Sequence, residues 1–254
     1  MSMALGANEE NKQYHIDLSP GQVGQYAILP GDPGRVEEIA QYLSNPAFVA
    51  EKREYKTFRG EIAGKSVIVM STGIGGPSAA IAIEELIKCG VHTFIRVGTC
   101  GGMQPEILPG DVVIAQAAIR SEGTSNEYLP KGYPACADME VILALQNSAK
   151  AAKLRHHTGV IHSKDNFYGQ TEPDGMPISA RLKERWDSYI RSGCLASEME
   201  AAALFSVGLT RRVRVGCVLT VVWNPELHKA GISQTQFLSN ERAIKCAISA
   251  IEML

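Results

Sequence analysis

The segment SEMEAA (197–202) sets two carboxylates, Glu198 and Glu200, around Met199 and between the apolar flanks CLA and AALF. A carboxylate buried among such neighbours must shift its pKa or find a partner. The partner is either a basic side chain of the protein or a ligand whose hydroxyl groups the acids accept. Two arginines stand out as complements. Arg96 interrupts the apolar run TFIRVG and is followed by Thr99 and the glycine-rich TCGG, which offer a hydroxyl and accessible backbone N–H groups. Arg35 ends the turn LPGDPGR, where a helix begins. A cation in the first helical turn opposes the dipole unless an anion sits beside it. Planar guanidinium groups suit a phosphate oxyanion, and backbone N–H groups near Gly31 would add to such a site. The plainer alternatives are a simple connector at 29–35 and a structural ion pair between Arg96 and a glutamate.

Three further stretches carry weaker signals. STGIGGPS (71–78) resembles a dinucleotide-binding turn, but Ser78 stands where the third glycine belongs and no ribose-binding acid follows the next strand. Its glycines fit a close backbone approach to some other ligand. NFYGQ (166–170) places Phe167 near Gln170, a pairing that can stack on a flat heterocycle and hydrogen-bond its edge, or equally a core aromatic beside a solvated amide. REYKTFRG supplies Arg53, Glu54 and Arg59, which read as the solvated face of a strand. His92, His156, His157, His162 and His228 show no metal-ligand spacing, and neither a P-loop lysine nor a G-x-S-x-G motif is present.

The elements that must position these residues alternate in type. Strands are expected at QYAIL, on both sides of Ala63-Gly64-Lys65, and at TFIRVG, DVVIAQAAI, TGVIHS and RVRVGCVLTVV. Helices are expected at GRVEEIAQYL, PSAAIAIEELIKCG, DMEVILALQNSAKAAKL, SARLKERWDSYIRSG and SQTQFLSNERAIKCAISAIEML, with NFYGQTEPDGMP as a loop. CLASE passes as a strand into the helix MEAAALFSVGL. The alternation predicts one α/β domain over 14–254, a central mixed β-sheet flanked by helices, with 1–13 as a flexible leader. Residues two apart share a face in a strand but not in a helix. Glu198 and Glu200 therefore reach one ligand best from the strand-to-helix junction, the end of an α/β sheet where ligands bind.

Bulk properties narrow the field. The chain has 254 residues, 45% hydrophobic and 20% charged, with a formal net charge of -2. That balance gives no reason to expect nucleic acid or an anionic membrane as a partner. Six scattered cysteines with no C-x-x-C pair fit free thiols in a reducing compartment, and the expected location is the cytoplasm.

Taken in order, LPGDPGRVEEIA, REYKTFRGE, VIVMSTGIGGPSAAIAIEEL, FIRVGTCGGMQ, NFYGQ and SEMEAAALF resemble the nucleoside phosphorylase family over nearly the whole chain, with the greatest likeness to its uridine phosphorylase branch. The resemblance implies a pentosyltransferase that needs no organic cofactor and uses inorganic phosphate as co-substrate, converting a nucleoside to free base and ribose 1-phosphate. It implies phosphate contacts from Gly31, Arg35, Arg96 and Thr99, with Arg53 reaching in from a neighbouring subunit. Glu198, Met199 and Glu200 fall at ribose positions, His15 at the neighbour's ribose, and Phe167 and Gln170 at base positions. Arg96 and Glu200 would be the catalytic residues. The resemblance also implies a homodimer, or a homohexamer built as a trimer of dimers, with shared active sites. Some members of the branch hold a monovalent cation between subunits, at positions matching Glu54, Ile74 and Ser78.

Two positions depart from that pattern. The arginine expected two residues after the glutamine is missing, since Gln170 is followed by Thr171, Glu172 and Pro173. Pro225 replaces a second arginine, and Asn224 stands where the purine-cleaving branch has an aspartate; Lys164, Lys229 and His228 are the candidates to substitute for the missing arginines. A pyrimidine nucleoside, uridine first, is the expected substrate. The alternatives are a purine or broad-specificity phosphorylase, a nucleosidase that uses water, and a non-catalytic nucleoside-binding protein. Arg35 and Arg96 weigh against the hydrolase, which has no phosphate dianion to hold.

Overall fold

Short runs rich in valine and isoleucine form strands because branched side chains pack well on a pleated surface. The intervening stretches, apolar at helical spacing, cover both sheet faces. A computed structural model describes residues 11–254, so most of the expected flexible leader lies outside the described residues. In chain order the elements are β1 (Tyr26–Pro30), α1 (Gly34–Ala40), β2 (Ser44–Lys52), β3 (Tyr55–Ile62), β4 (Lys65–Met70), α2 (Gly76–Cys89), β5 (Thr93–Gly102) and β6 (Val112–Ser121). They continue with β7 (Ala135–Cys136), α3 (Met139–Ala151), β8 (His156–Lys164), α4 (Tyr168–Thr171), α5 (Ser179–Arg191), β9 (Ala196–Glu198), α6 (Ala201–Arg211), β10 (Arg214–Trp223), α7 (Pro225–Lys229) and α8 (Glu241–Met253).

The sheet is mixed, in the order β10-β6-β8-β9-β5-β1-β4-β3-β2, and β10 also pairs with β5. That extra pairing closes β5, β10, β6, β8 and β9 into a ring, from which β1, β4, β3 and β2 extend as an open wing. β5 is the hinge between the two parts. It runs parallel to β1 and β10, and its end meets β9 antiparallel at Gly101–Ser197 and Gly102–Ala196.

Strand parity decides where the charge on β5 points. Phe94 packs into the layer formed with α2 and α6, together with Ile83, Leu86, Leu204 and Phe205. Ile95 and Val97 pack into the opposite layer, with Val36, Ile39, Val141, Leu145, Ile244 and Ile251 from α1, α3 and α8. Alternation places Arg96 on the α2 and α6 side, facing the junction that carries Glu198 and Glu200. Phe94 and Phe205 are fully buried, each contributing about 1.5–3 kcal/mol to the layer that holds this face rigid.

The structure departs from the expected elements in several places, among them the short β7 and α7, which were not expected. β2 was not expected; its Pro46 and mostly exposed side chains suit the outer edge of the wing. The last helix begins at Glu241, so SQTQFLSN is irregular rather than helical, as its lack of apolar periodicity allows. The loop after β8 contains the helical turn α4, which places Gln170 beside β9. No helix among the described residues is long and apolar enough to cross a membrane.

Candidate active site

The three charged residues singled out first are joined directly. Arg96 donates from Nε to Glu198 Oε2 at 3.0 Å and from Nη2 to Glu200 Oε2. All three side chains are buried. Burial opposes the charge on Arg96, but the facing carboxylates of Glu200 and Glu198 outweigh it and hold the guanidinium well above its ordinary value. Gly98 makes the approach feasible, because a Cβ there would lie 3.1 Å from Arg96 Nη2.

The two acids differ in what they have left to offer. Glu198 Oε2 accepts from the backbone N–H groups of Glu200 (2.9 Å) and Ala201 (3.0 Å), while Oε1 accepts from the Ser163 hydroxyl. It thus caps the start of α6, a favourable place for an anion, and its acceptor capacity is spent. Glu200 accepts once on each oxygen, from Arg96 and from Gly75 N–H at 2.7 Å, and keeps free lone pairs. Gly75 can aim that N–H because it sits at φ 95, a conformation open to glycine. Arg96 Nη1 is buried and has no hydrogen-bond partner among the described residues. Such an orphaned donor is costly unless a ligand completes it. Of the two sequence alternatives for Arg96, the ion pair is present, and the unfilled Nη1 leaves room for the other.

A second group lies along β8, α4 and β9. Lys164 ends β8, is 8% exposed, and donates to Ser197 Oγ at 2.8 Å. Its ammonium lies 5.9 Å from the centre of the Phe167 ring, and Ser197 Oγ donates to Gln170 Oε1 at 3.0 Å. Phe167 itself is exposed, with a face available for stacking. Burial pushes Lys164 down to about 8, against the pull of Glu198 and Glu200. A cation, an amide and an exposed aromatic ring thus stand next to the carboxylates.

The remaining expected residues make no hydrogen bond to Arg96, Glu198 or Glu200 among the described residues. Gly31 accepts from Gly73 N–H at 2.9 Å, tying the β1–α1 turn to the β4–α2 loop. In that turn Asp32 takes the N–H groups of Gly34 and Arg35, so these two donors are already occupied. Arg35 lines a depression of about 320 Å³ with Glu38, Tyr42, Leu238 and Asn240. Thr99 is half-buried and pairs in register with Thr220, whose buried hydroxyl has no partner among the described residues. Met199 is half-buried between the two acids. Glu54 and Ser78 meet at 2.8 Å, and the Glu54 carboxyl is lowered chiefly by its own backbone N–H, with the Ser78 hydroxyl adding to the effect. Ile74, in the neighbouring loop, exposes its side chain. Arg53 and His15 both pack against the exposed Tyr14, His15 edge-on at 4.8 Å and Arg53 at 5.8 Å. His15 Nδ1 also meets Glu85 Oε1 at 2.6 Å.

The family model of the phosphorylase superfamily matches residues 25–251. The chain belongs to the phosphorylase superfamily. It is 52% identical to a uridine phosphorylase of Treponema pallidum over 95% of this chain and 94% of that protein. It is 45% identical to a uridine phosphorylase of Thermococcus kodakarensis, covering 92% and 86% of the two chains. A guanosine phosphorylase of Halorubrum lacusprofundi is 37% identical over 96% and 99%.

Within this superfamily member, sequence reasoning passed over Ser163 and the Ser197 hydroxyl, read Gly75 only as one of several glycines allowing a close approach, and named Lys164 as a substitute for the missing arginines without placing it. Lys164 follows the strand-like TGVIHS and looks like an ordinary solvated lysine; only the pairing of β8 with β9 buries it. Asn224 is also more constrained than its loop position suggested. Its Nδ2 donates to Gln104 O and Ile107 O, both at 2.8 Å, and its Oδ1 accepts from Glu226 N at 2.9 Å, capping α7. Those bonds occupy the amide, leaving it a structural role where a general acid was sought.

Proposed function

We propose that this chain catalyses the phosphorolysis of uridine to uracil and ribose 1-phosphate, a step of pyrimidine nucleoside salvage in the cytoplasm. The observation that carries this reading is Arg96, which grips both acids of the 197–202 segment and keeps one buried donor unfilled. Identities of 52% and 45% to two uridine phosphorylases support the choice of nucleoside.

In this reading a phosphate oxygen bonds to C1′ as the C1′–N1 bond breaks, and the electron pair leaves with the base. Arg96 Nη1, Thr99, Gly31 and Arg35 hold the phosphate dianion. Glu200 accepts from the ribose hydroxyls with its free lone pairs, Glu198 fixes Arg96 and the start of α6, and Met199 packs against the sugar. The transition state has oxocarbenium character, so the buried carboxylates and the phosphate stabilise the developing positive charge. Phe167 stacks on the uracil ring and Gln170 binds its edge. Lys164 takes the place of the missing arginines: an ammonium that titrates near 8 is poised to neutralise or protonate the departing base at neutral pH.

Tyr14 supports a shared site, because it holds His15 and Arg53 together on one outer face. Both are expected to serve a neighbouring subunit in a homodimer or a trimer of dimers. The oxygen donors of Glu54 and Ser78, with the main-chain carbonyl of Ile74, would hold a monovalent cation near that face. Uridine, thymidine, inosine, guanosine and adenosine, each incubated with and without phosphate, test the proposal. Uracil and ribose 1-phosphate should form only with both uridine and phosphate present. Equal base release without phosphate would establish a nucleosidase instead.

A further inference from the structure

Ser197 stands behind the base-facing residues, and its hydroxyl joins three side chains. It lies 2.8 Å from Lys164 Nζ, 3.0 Å from Gln170 Oε1 and 3.1 Å from His162 Nδ1. A hydroxyl has one proton to give and two lone pairs to fill. The Gln170 oxygen can only accept, so it takes the proton, and both Lys164 and His162 donate to Ser197. His162 is then the Nδ1–H tautomer with Nε2 bare. Its Nε2 is in fact buried without a partner among the described residues, and burial, reinforced by Lys164 and Arg185, pushes the ring down to about 3, so it stays neutral. A flipped Gln170 amide would turn the Ser197 proton toward His162 Nδ1 and put the ring proton on Nε2, where it is buried with no partner among the described residues; that orphaned donor disfavours the flipped orientation.

We propose that His162 and Ser197 are positioning residues that fix the Gln170 amide, with its oxygen held from behind and its Nε2 hydrogens aimed at the base. This rests on the uridine reading above and specifies how that site chooses its base. Gln170 then reads a carbonyl oxygen, and a base with an amino group at that position meets two donors instead. The Nε2 end of the amide lies toward the end of β5, since a Cβ at Gly101 would come 4.0 Å from that nitrogen. The chemical class selected is a pyrimidine with a carbonyl opposite Gln170, in preference to its amino counterpart.

The experiment compares the intact wild-type enzyme with Ser197→Ala, Ser197→Thr and His162→Phe on uridine, cytidine and isocytidine, which carry their amino groups on opposite sides of the ring. Ser197→Ala and His162→Phe should lower kcat/KM for uridine by about tenfold or more, the value of one orienting hydrogen bond, with the phosphate KM unchanged. The preference for uridine over one of the two amino analogues should fall by a similar factor, and Ser197→Thr, which keeps the hydroxyl, should restore it. Folded Ser197→Ala or His162→Phe enzymes with wild-type uridine kinetics would overturn the inference. So would a loss of activity that leaves both selectivities intact, the mark of a merely structural role. Wild-type enzyme that does not cleave uridine with phosphate would refute the uridine reading itself, which separates the two failures.

Discussion

Replacing Lys164 by methionine should make the protein more stable and less active. In the fold Lys164 drops from 10.5 to about 8 because it is buried. At about 1.4 kcal/mol for each pH unit, holding the ammonium there costs about 3 kcal/mol at neutral pH. Methionine fills much of the same space without a charge to desolvate. It forfeits the hydrogen bond to Ser197, worth about 1 kcal/mol, so the net gain is about 2 kcal/mol. For a chain of this size that gain raises Tm by about 4–8 °C. The sign depends on pH. Between about 8 and 10.5 the unfolded lysine keeps a proton that the folded one has lost, so wild-type stability rises with pH across that window. The advantage of Lys164→Met is therefore full below pH 8 and gone above 10.5. Thermal unfolding at pH 7 and at pH 10, at one protein concentration, reads this directly, and kcat/KM for uridine at pH 7 should fall by about 10²-fold or more. A variant that is less stable than wild type at pH 7, or equally active there, would refute the assignment of Lys164 as a charge kept for the reaction.

Arg96→Lys keeps the charge but loses the fork, and should raise the phosphate KM by at least about tenfold in steady-state assays at varied phosphate. An unaltered phosphate response in the folded variant would remove Arg96 from the phosphate site. Asn224→Ala removes a helix cap and two bonds to carbonyl oxygens, and should cost about 2–3 kcal/mol in urea unfolding. If sites are shared, co-expressing Arg53→Ala with Arg96→Lys should restore about a quarter of wild-type activity, since half the dimers are mixed and each mixed dimer has one intact site. No recovery above the two separate variants would contradict the shared site.

The strands and helices that carry the site were legible because valine-rich runs and helical periods alternate clearly. Arg96 was legible as a charge inside an apolar strand, and Glu198 and Glu200 as acids inside an apolar flank. An Arg96–glutamate ion pair was one alternative, but which glutamates it joins was not legible, because that depends on pairings between distant segments: Gly101 with Ser197, and Cys217 with Arg96. The same pairings close the ring and bury Lys164, turning a residue with no local signature into a titrating group. β2 escaped notice because an edge strand beside solvent has no apolar alternation to display. The placement of His15 and Arg53 follows from an outward face built around Tyr14, which no short window of sequence describes.

The buried charges explain how such a site stays folded before substrate arrives. Arg96 pairs with both Glu198 and Glu200, and Lys164 brings the formal sum of the four groups to zero, although its desolvation costs more than its attraction to the acids returns. A phosphate dianion upsets that balance and needs cations from outside the cluster, which makes Arg35 and the outward Arg53 the natural complements. The ion pairs also link the two halves of the reaction. Arg96 holds Glu200 through Nη2 and keeps Nη1 free, so in the proposed reading one planar group would fix the ribose-binding carboxylate and the nucleophile in the same frame. Removing either partner should therefore disturb both substrates, whereas changes in the Lys164, Ser197 and Gln170 chain should, on the same reading, affect the base alone.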